Sequence, residues 1–410
     1  MTEPNSLVNT GVETESRQAQ REHMLRAIEK TQAYILRKGY KGYDPYDALT
    51  SPLFKLPFLN TNKLVRLGAQ QVLKRLPLNL RPMLFVPKGY NPVTLGLCVQ
   101  AYVYLAKSLP EQKAFYEKEI NRLIVELIRL QSSKMRSEKY SGACWGYDFD
   151  WEARYAKIPA YVPTIVATGF VTNALFEAYS QLGNQRAFEL CESATKFVVN
   201  DLNRTEKSDG RFCWSYSPRD KQIVLNATMK GARLCAQVGS VNGEKELLNL
   251  AKRTIEFVMQ HQDEHGAWRY AIGDTRAFVD NFHTGYVLDC LDEYQTLSGD
   301  KGFQEGLQKG WRYYRENFFV NDQEPKYYDK SVYPIDATAC AQSLLTLSRF
   351  GDHKTAERVA GWVIKEMQLP NGAFKYQRYA HYENRIPYMR WSTAWLFLGL
   401  SRVVWSNISR

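Results

Sequence analysis

Two hydrophobic patterns alternate along the chain. Around residues 62–79, 111–131, 185–201, 243–262, 301–318 and 352–369, apolar positions recur at helical spacing with Lys, Arg and Glu between them. That is the pattern of a helix with one face in water. Around 91–107, 164–181, 223–238, 282–297, 336–349 and 390–406 the runs are apolar nearly all round and carry small residues such as Gly96, Gly169, Gly231, Gly285 and Ala339, as buried helices do. The alternation predicts six pairs of one outer and one inner helix. An open row of such pairs leaves apolar faces bare at both ends, whereas a ring buries all six inner helices, so the predicted fold is an all-α (α/α)6 toroid. A further helical pattern runs over 17–38. The polar stretch 1–16 reads as a disordered arm, with 17–410 forming one toroid domain.

The inner runs open alike. Asn91-Pro92-Val93-Thr94, Tyr161-Val162-Pro163-Thr164, Asn226-Ala227-Thr228, Asp280-Asn281-Phe282-His283, Tyr333-Pro334-Ile335-Asp336 and Tyr388-Met389-Arg390-Trp391 place polar and aromatic residues just ahead of each apolar run. A recurrence of this kind marks an internal repeat, and helix N-termini carry unpaired N–H groups and partial positive charge. Parallel inner helices would bring these starts to one mouth, with Asp44 and Asp150 reaching over it from the turns 41–47 and 145–152. Helix capping accounts equally well for Asn91, Asn226 and Asp336. His283 and Arg390 are not favoured caps, and a cation opposes the dipole there, so both are expected to face a ligand, with Asp280 orienting the His283 ring. If 147–151 is extended, Tyr147, Phe149 and Trp151 share one side while Asp148 and Asp150 share the other. Such a strip suits a sugar, with aromatic faces for stacking and carboxylates for hydroxyls. The candidate catalytic groups are therefore His283, Asp336, Asp150, Asp44 and Arg390. The candidate binding groups are Tyr43, Asn91, Trp145, Tyr147, Trp151, Tyr161, Asn226, Asp280, Arg385, Tyr388 and Trp391.

Composition narrows the partners. Twenty-six Tyr and nine Trp mostly fill a large core. The net charge is +11, but no block of five or six basic residues occurs, which favours an anionic substrate over nucleic acid. Seven Cys without a CxxC pair read as reduced thiols in a cytoplasmic protein. No signal core and no membrane-length apolar run occur, so no stable membrane insertion is expected. Asp280, His283 and Cys340 are conceivable zinc ligands, but no cysteine stands at a helix start; neither metal nor cofactor is expected. The oligomeric state is not readable.

Arg253…Phe257-Val258…Gln262…Gly266-Ala267-Trp268 resembles the Gln–Trp repeat of squalene and oxidosqualene cyclases, and the stretch around Gly372 is a weaker copy. From about residue 17 the chain resembles the α/α-toroid superfamily of terpenoid cyclases, prenyltransferase β-subunits and many carbohydrate-active enzymes. Lys41–Asp47, Trp145–Trp151, Asp280–Gly285 and Tyr388–Trp391 are similar to a little-characterised branch encoded among cell-surface polysaccharide biosynthesis genes. With the mouth residues, the resemblance points to an enzyme acting on a saccharide or a glycan precursor by acid/base chemistry of hydrolase, lyase or epimerase type, and the basic net charge with Arg385 and Arg390 leans toward an acidic sugar. A terpenoid cyclase or prenyltransferase is the alternative, though the Asp-x-Asp-Asp run of protonating cyclases is missing. A non-catalytic glycan-binding ring is the other.

Overall fold

The computed structural model describes residues 6–152 and 157–408, with side chains from Gln18 onward. Six inner helices, α3 (Pro92–Ser108), α5 (Ile165–Leu182), α7 (Leu225–Asn242), α9 (Asn281–Ser298), α11 (Ala337–Arg349) and α13 (Trp395–Ser406), stand side by side. Each packs on the next, and α13 packs back on α3, so the ring is closed. The helices are buried on nearly every face, as their all-round apolar pattern requires. Side-chain caps open four of them: Asn91, Thr164, Asp280 and Asp336 each accept a hydrogen bond from a first-turn N–H, a contribution of about 0.5–2 kcal/mol apiece.

The outer layer comprises α4 (Lys113–Arg129), α6 (Gln185–Asp201), α8 (Lys245–Met259), α10 (Gln304–Asn317), α12 (His353–Met367) and α1 (Ser6–Arg37). Here the structure corrects the expectation twice. The segment 62–79 is not an outer helix: α2 (Lys63–Arg75) lies across the mouth, against the turn Asp47–Thr50 and the strand Trp151–Glu152. Its slot is taken by α1, which packs on α12 and α13. From Ser6 the supposed disordered arm already belongs to that helix, while residues 1–5 lie outside the described residues.

The turn-and-aromatic linkers tie successive outer helices together. Gln262 donates to the Gly266 carbonyl and to the Gly306 carbonyl of α10. Gly266 (φ +102°) lies so close to α10 that a Cβ would stand 2.5 Å from the Lys309 carbonyl oxygen, and only glycine meets both demands. Gln368 repeats the device on α1, donating to Ala27 O and Thr31 Oγ1. This weaker copy is what closes the outer ring. Short antiparallel pairs stand over the mouth: Trp151–Glu152 with Lys157–Ile158, Ile223–Val224 with Ala271–Ile272, and Gln377–Arg378 with both Glu383–Asn384 and Ile335–Asp336. No helix among the described residues is long and apolar enough to cross a membrane.

Candidate functional site

The inner helices run parallel, so their starts share one end of the ring. Phe282 at the start of α9 meets Trp391 just ahead of α13 edge-on at 5.9 Å, and Thr338 of α11 donates to the Trp391 carbonyl. Asp280 is buried and does two things. One carboxylate oxygen caps α9 by accepting from the His283 N–H (2.9 Å), and the other lies 2.7 Å from His283 Nδ1. A carboxylate oxygen accepts, so Nδ1 carries a proton, and in the neutral ring the lone pair is then on Nε2. The ring stands among Phe282 (4.2 Å between centroids), Tyr270 (4.5 Å) and Tyr286 (5.8 Å). Its side chain keeps 21% exposure, enough to be reached from the mouth. The outcome is an oriented imidazole in an aromatic setting.

Arg390 sits in the π-helical turn Met389–Ala394 that precedes α13; such turns are often found at functional sites. It was expected to face a ligand, but the structure gives it a carboxylate instead. Its Nε and Nη2 hold Asp44 at 2.6 and 2.9 Å, and its guanidinium lies over Tyr147 (4.8 Å) and Trp391 (4.9 Å). A second buried pair, Arg81–Asp47 (2.6 Å), stands behind it. Trp391 directs its indole N–H at Asp336 (3.2 Å), which also accepts from Gln377 Nε2 and caps α11 through Thr338 N. Burial pushes the Asp336 carboxyl up to about 6 against these hydrogen bonds. Tyr46 bridges the centre of the mouth, edge-on to both Trp391 (5.5 Å) and Trp151 (6.2 Å). Asn226 is buried at the start of α7 with no hydrogen-bond partner for Nδ2 among the described residues.

Beside Arg390 a small pocket of about 40 Å³ is lined by Tyr43, Asp44, Asn91, Asp148 and Phe149, among others. Asp148 accepts from Asn91 Nδ2 at 2.6 Å. Burial first, and then the charge of Asp44, push its carboxyl up to about 6, with the Asn91 hydrogen bond opposing them. It is thus one of three mouth carboxyls raised toward neutral pH, with Asp336 at about 6 and Asp47, pushed up by burial, at about 7. The sign of the linkage is definite. Asp148 has a folded pKa above the unfolded one, so its contribution to stability is full below about pH 4 and lost as pH rises through about 6, a change on the order of 3 kcal/mol. Asp148→Asn keeps an oxygen for Asn91 and cannot ionise. It is expected to melt higher than the parent at pH 7.5, with the gain gone by pH 4. Thermal unfolding of the two proteins across that range checks it, and an equal gap at both pH values would contradict the assignment.

Several expected site residues lie elsewhere. Asp150 stands at the base of the 151–158 hairpin, accepting from Ala160 N (2.8 Å) with Lys157 Nζ at 3.8 Å, and none of its hydrogen bonds is to a mouth residue. Trp145 is fully buried, with its indole N–H on the Leu127 carbonyl. Tyr388 is buried against Tyr376 with Arg81 over its ring, a packing role. Arg385 is exposed beyond the 377–384 hairpin. Tyr147 stacks on Phe149, as the alternation required (5.4 Å), and Tyr161 N donates to the Tyr147 carbonyl. The residues missed are Asp148 as a site group, Tyr46 and Tyr270. The hairpin register pairs Lys157 with Glu152, and what separates the two aspartates is their partners, Asn91 for Asp148 and Ala160 N with Lys157 for Asp150.

Below the mouth, Phe170, Tyr286 and Trp395 cross the lumen, with ring centroids 5.1–5.9 Å apart. Lys230 lies 3.8 Å from the Phe170 and Tyr286 ring centroids. This layer fills the lumen below the mouth. Cys340 is wholly buried in α11, and among the described residues no three metal-ligating side chains cluster.

No protein-family model and no curated protein matches the chain. Solved structures do. It is similar to the cellobiose 2-epimerase of Bacillus thermoamylovorans B4167 (TM-score 0.55, 13% identity, covering 77% of this chain and 87% of that one). It is similar as well to the glycoside hydrolase family 76 mannosidase Bt3792 of Bacteroides thetaiotaomicron VPI-5482 (TM-score 0.56, 9% identity, 94% and 98% covered). An unsaturated glucuronyl hydrolase specific for heparin is a third (TM-score 0.55, 15% identity, 77% and 86% covered). At these identities the likeness is one of fold.

Proposed function

We propose that this protein is an enzyme that moves protons on a saccharide bound at the mouth of the toroid, with His283 as the base and Asp148 as the acid. The observation that carries the reading is the Asp280–His283 pair. It turns Nε2 of an oriented ring away from Asp280, where the helix starts converge, beside aromatic faces on which a sugar ring can stack. Hydrolysis by a carboxylate pair calls for two available carboxyls about 5–10 Å apart. Here Asp44 is held by Arg390, Asp280 by His283, and Asp336 by Gln377 and Trp391. That distribution favours abstraction of a proton next to a carbonyl or carboxylate, as in epimerisation or elimination, over glycoside hydrolysis. The saccharide-acting neighbours support the substrate class. The sequence resemblance supports a place in cell-surface polysaccharide biosynthesis, and the net charge of +11 supports an acidic sugar. Seven unpaired, buried cysteines support a reducing, cytoplasmic setting.

The test is incubation with neutral and uronate mono- and disaccharides in D₂O, followed by NMR. Epimerisation should place deuterium at the carbon next to the carbonyl or carboxylate without new reducing ends, whereas elimination should release a new reducing end paired with an unsaturated uronate. New reducing ends with neither deuterium nor an unsaturated product would replace this reading with hydrolysis.

A further inference from the structure

Among the described residues, every large apolar side chain more than half exposed lies in one stretch. These are Phe58 (69%), Leu64 (77%), Val72 (55%), Leu78 (67%), Met83 (75%) and Phe85 (70%). All belong to the segment that crosses the mouth, and Phe85 is turned outward from a left-handed backbone (φ 54°), a conformation bulky residues rarely adopt. α2 does not bury all of its apolar side chains: Leu73 is buried beside Gln70, but two others face water. Its polar Gln70 is buried and bonded to the Glu152 backbone, while Leu64 and Val72, two helical turns apart, share the exposed face. An apolar face of this kind turned to water marks a surface that something else covers.

The charge around it says what. Between Asp47 and Glu111 the chain has no acidic residue. Arg66 and Arg81 in this stretch are bound inward to Glu152 and Asp47, and Lys55, Lys63, Arg75 and Lys88 are exposed among the apolar side chains. These cations are spaced too far apart to form a basic block in sequence, and only the fold gathers them. A second copy of the same surface would set cations against cations, so self-association is disfavoured. Interleaved apolar and basic side chains with no acid are the chemistry of a helix lying in the headgroup region of an anionic bilayer. With 13 residues, α2 is too short to span one. We propose that the surface formed by residues 53–88 docks the protein peripherally on anionic lipid bilayers. The proposal is independent of the chemistry at the mouth.

The test is flotation of the full chain with phosphatidylcholine vesicles, with and without phosphatidylglycerol, alongside light scattering of the lipid-free protein. The parent should float with the phosphatidylglycerol vesicles and not with phosphatidylcholine alone, and raised salt should weaken the binding. Phe58→Ser/Leu64→Ser/Phe85→Ser should lower the bound fraction at least 10-fold with an unchanged melting temperature, since all three side chains are exposed. Lys55→Glu/Lys63→Glu/Arg75→Glu should do the same. Failure to float with either vesicle, or equal binding to both, would overturn the proposal. So would a lipid-free dimer that the serine variant turns into a monomer, because the surface would then belong to a second copy.

Discussion

Replacing His283 with Gln is expected to lower turnover on the saccharide substrate by about 10²–10⁴-fold, the usual contribution of a general acid–base group. That corresponds to about 3–5 kcal/mol of transition-state stabilisation. The expectation rests on three features: the Nδ1 contact to Asp280 that fixes the ring, the Nε2 lone pair this leaves in the neutral ring, and the partial exposure of the ring at the mouth. Gln can still donate to Asp280, and the α9 cap uses the backbone N–H of residue 283, so the melting temperature should shift by no more than about 1–2 °C. Activity on the saccharide panel beside thermal unfolding separates the outcomes. A sharp drop in melting temperature with unaltered turnover per folded molecule would make His283 a structural residue. Asp280→Asn is the informative companion. It keeps the cap but permits the amide to donate to Nδ1, turning the ring's lone pair inward, and so should lose activity nearly as severely.

The ring was legible because it is written twice, once in the helix pattern and once in the linkers. Gln262, Gly266 and Trp268 make, between α8 and α10, the kind of contact the Gln–Trp resemblance implies. The outer helix at 62–79 failed for a physical reason. An amphipathic period reports that a helix has two faces, not what they pack against, and α2 buries Gln70 and Leu73 against the loops of the mouth while Leu64 and Val72 stay exposed. The segment 17–38, left outside the repeat, had the same pattern and filled the empty slot. Among site residues, the Asp280–His283 pair was readable because three residues separate it on one helix. The Asp44–Arg390 pair was not, because its members are 346 positions apart. Asp148 and Asp150 were interchangeable in sequence, and only their partners in the fold, Asn91 for the first and Lys157 for the second, tell them apart.

That distant pair carries the largest expected effect on stability. Asp44 and Arg390 are both buried, with side chains 7% and 6% exposed, and their hydrogen bonds join the turn at 44–47 to the start of the last inner helix. Burial lowers and Asp44 raises the Arg390 pKa, and the carboxylate prevails, holding it above its ordinary value. Removing one partner leaves the other charged in a site from which water is excluded, which costs about 3–5 kcal/mol. At roughly 2.1 cal/mol/K per residue over 410 residues, Arg390→Gln should lower the melting temperature by about 4–6 °C. Asp44→Asn should do about the same, for it strands the guanidinium over Tyr147 and Trp391. The double variant strands nothing and should lose far less than the two single losses combined, a coupling of at least about 1.5 kcal/mol. If the two losses simply add, Arg390 draws its stability from the aromatic rings and not from Asp44. A single-variant shift within 1 °C would instead free Arg390 for the ligand-facing role its position at a helix start first suggested.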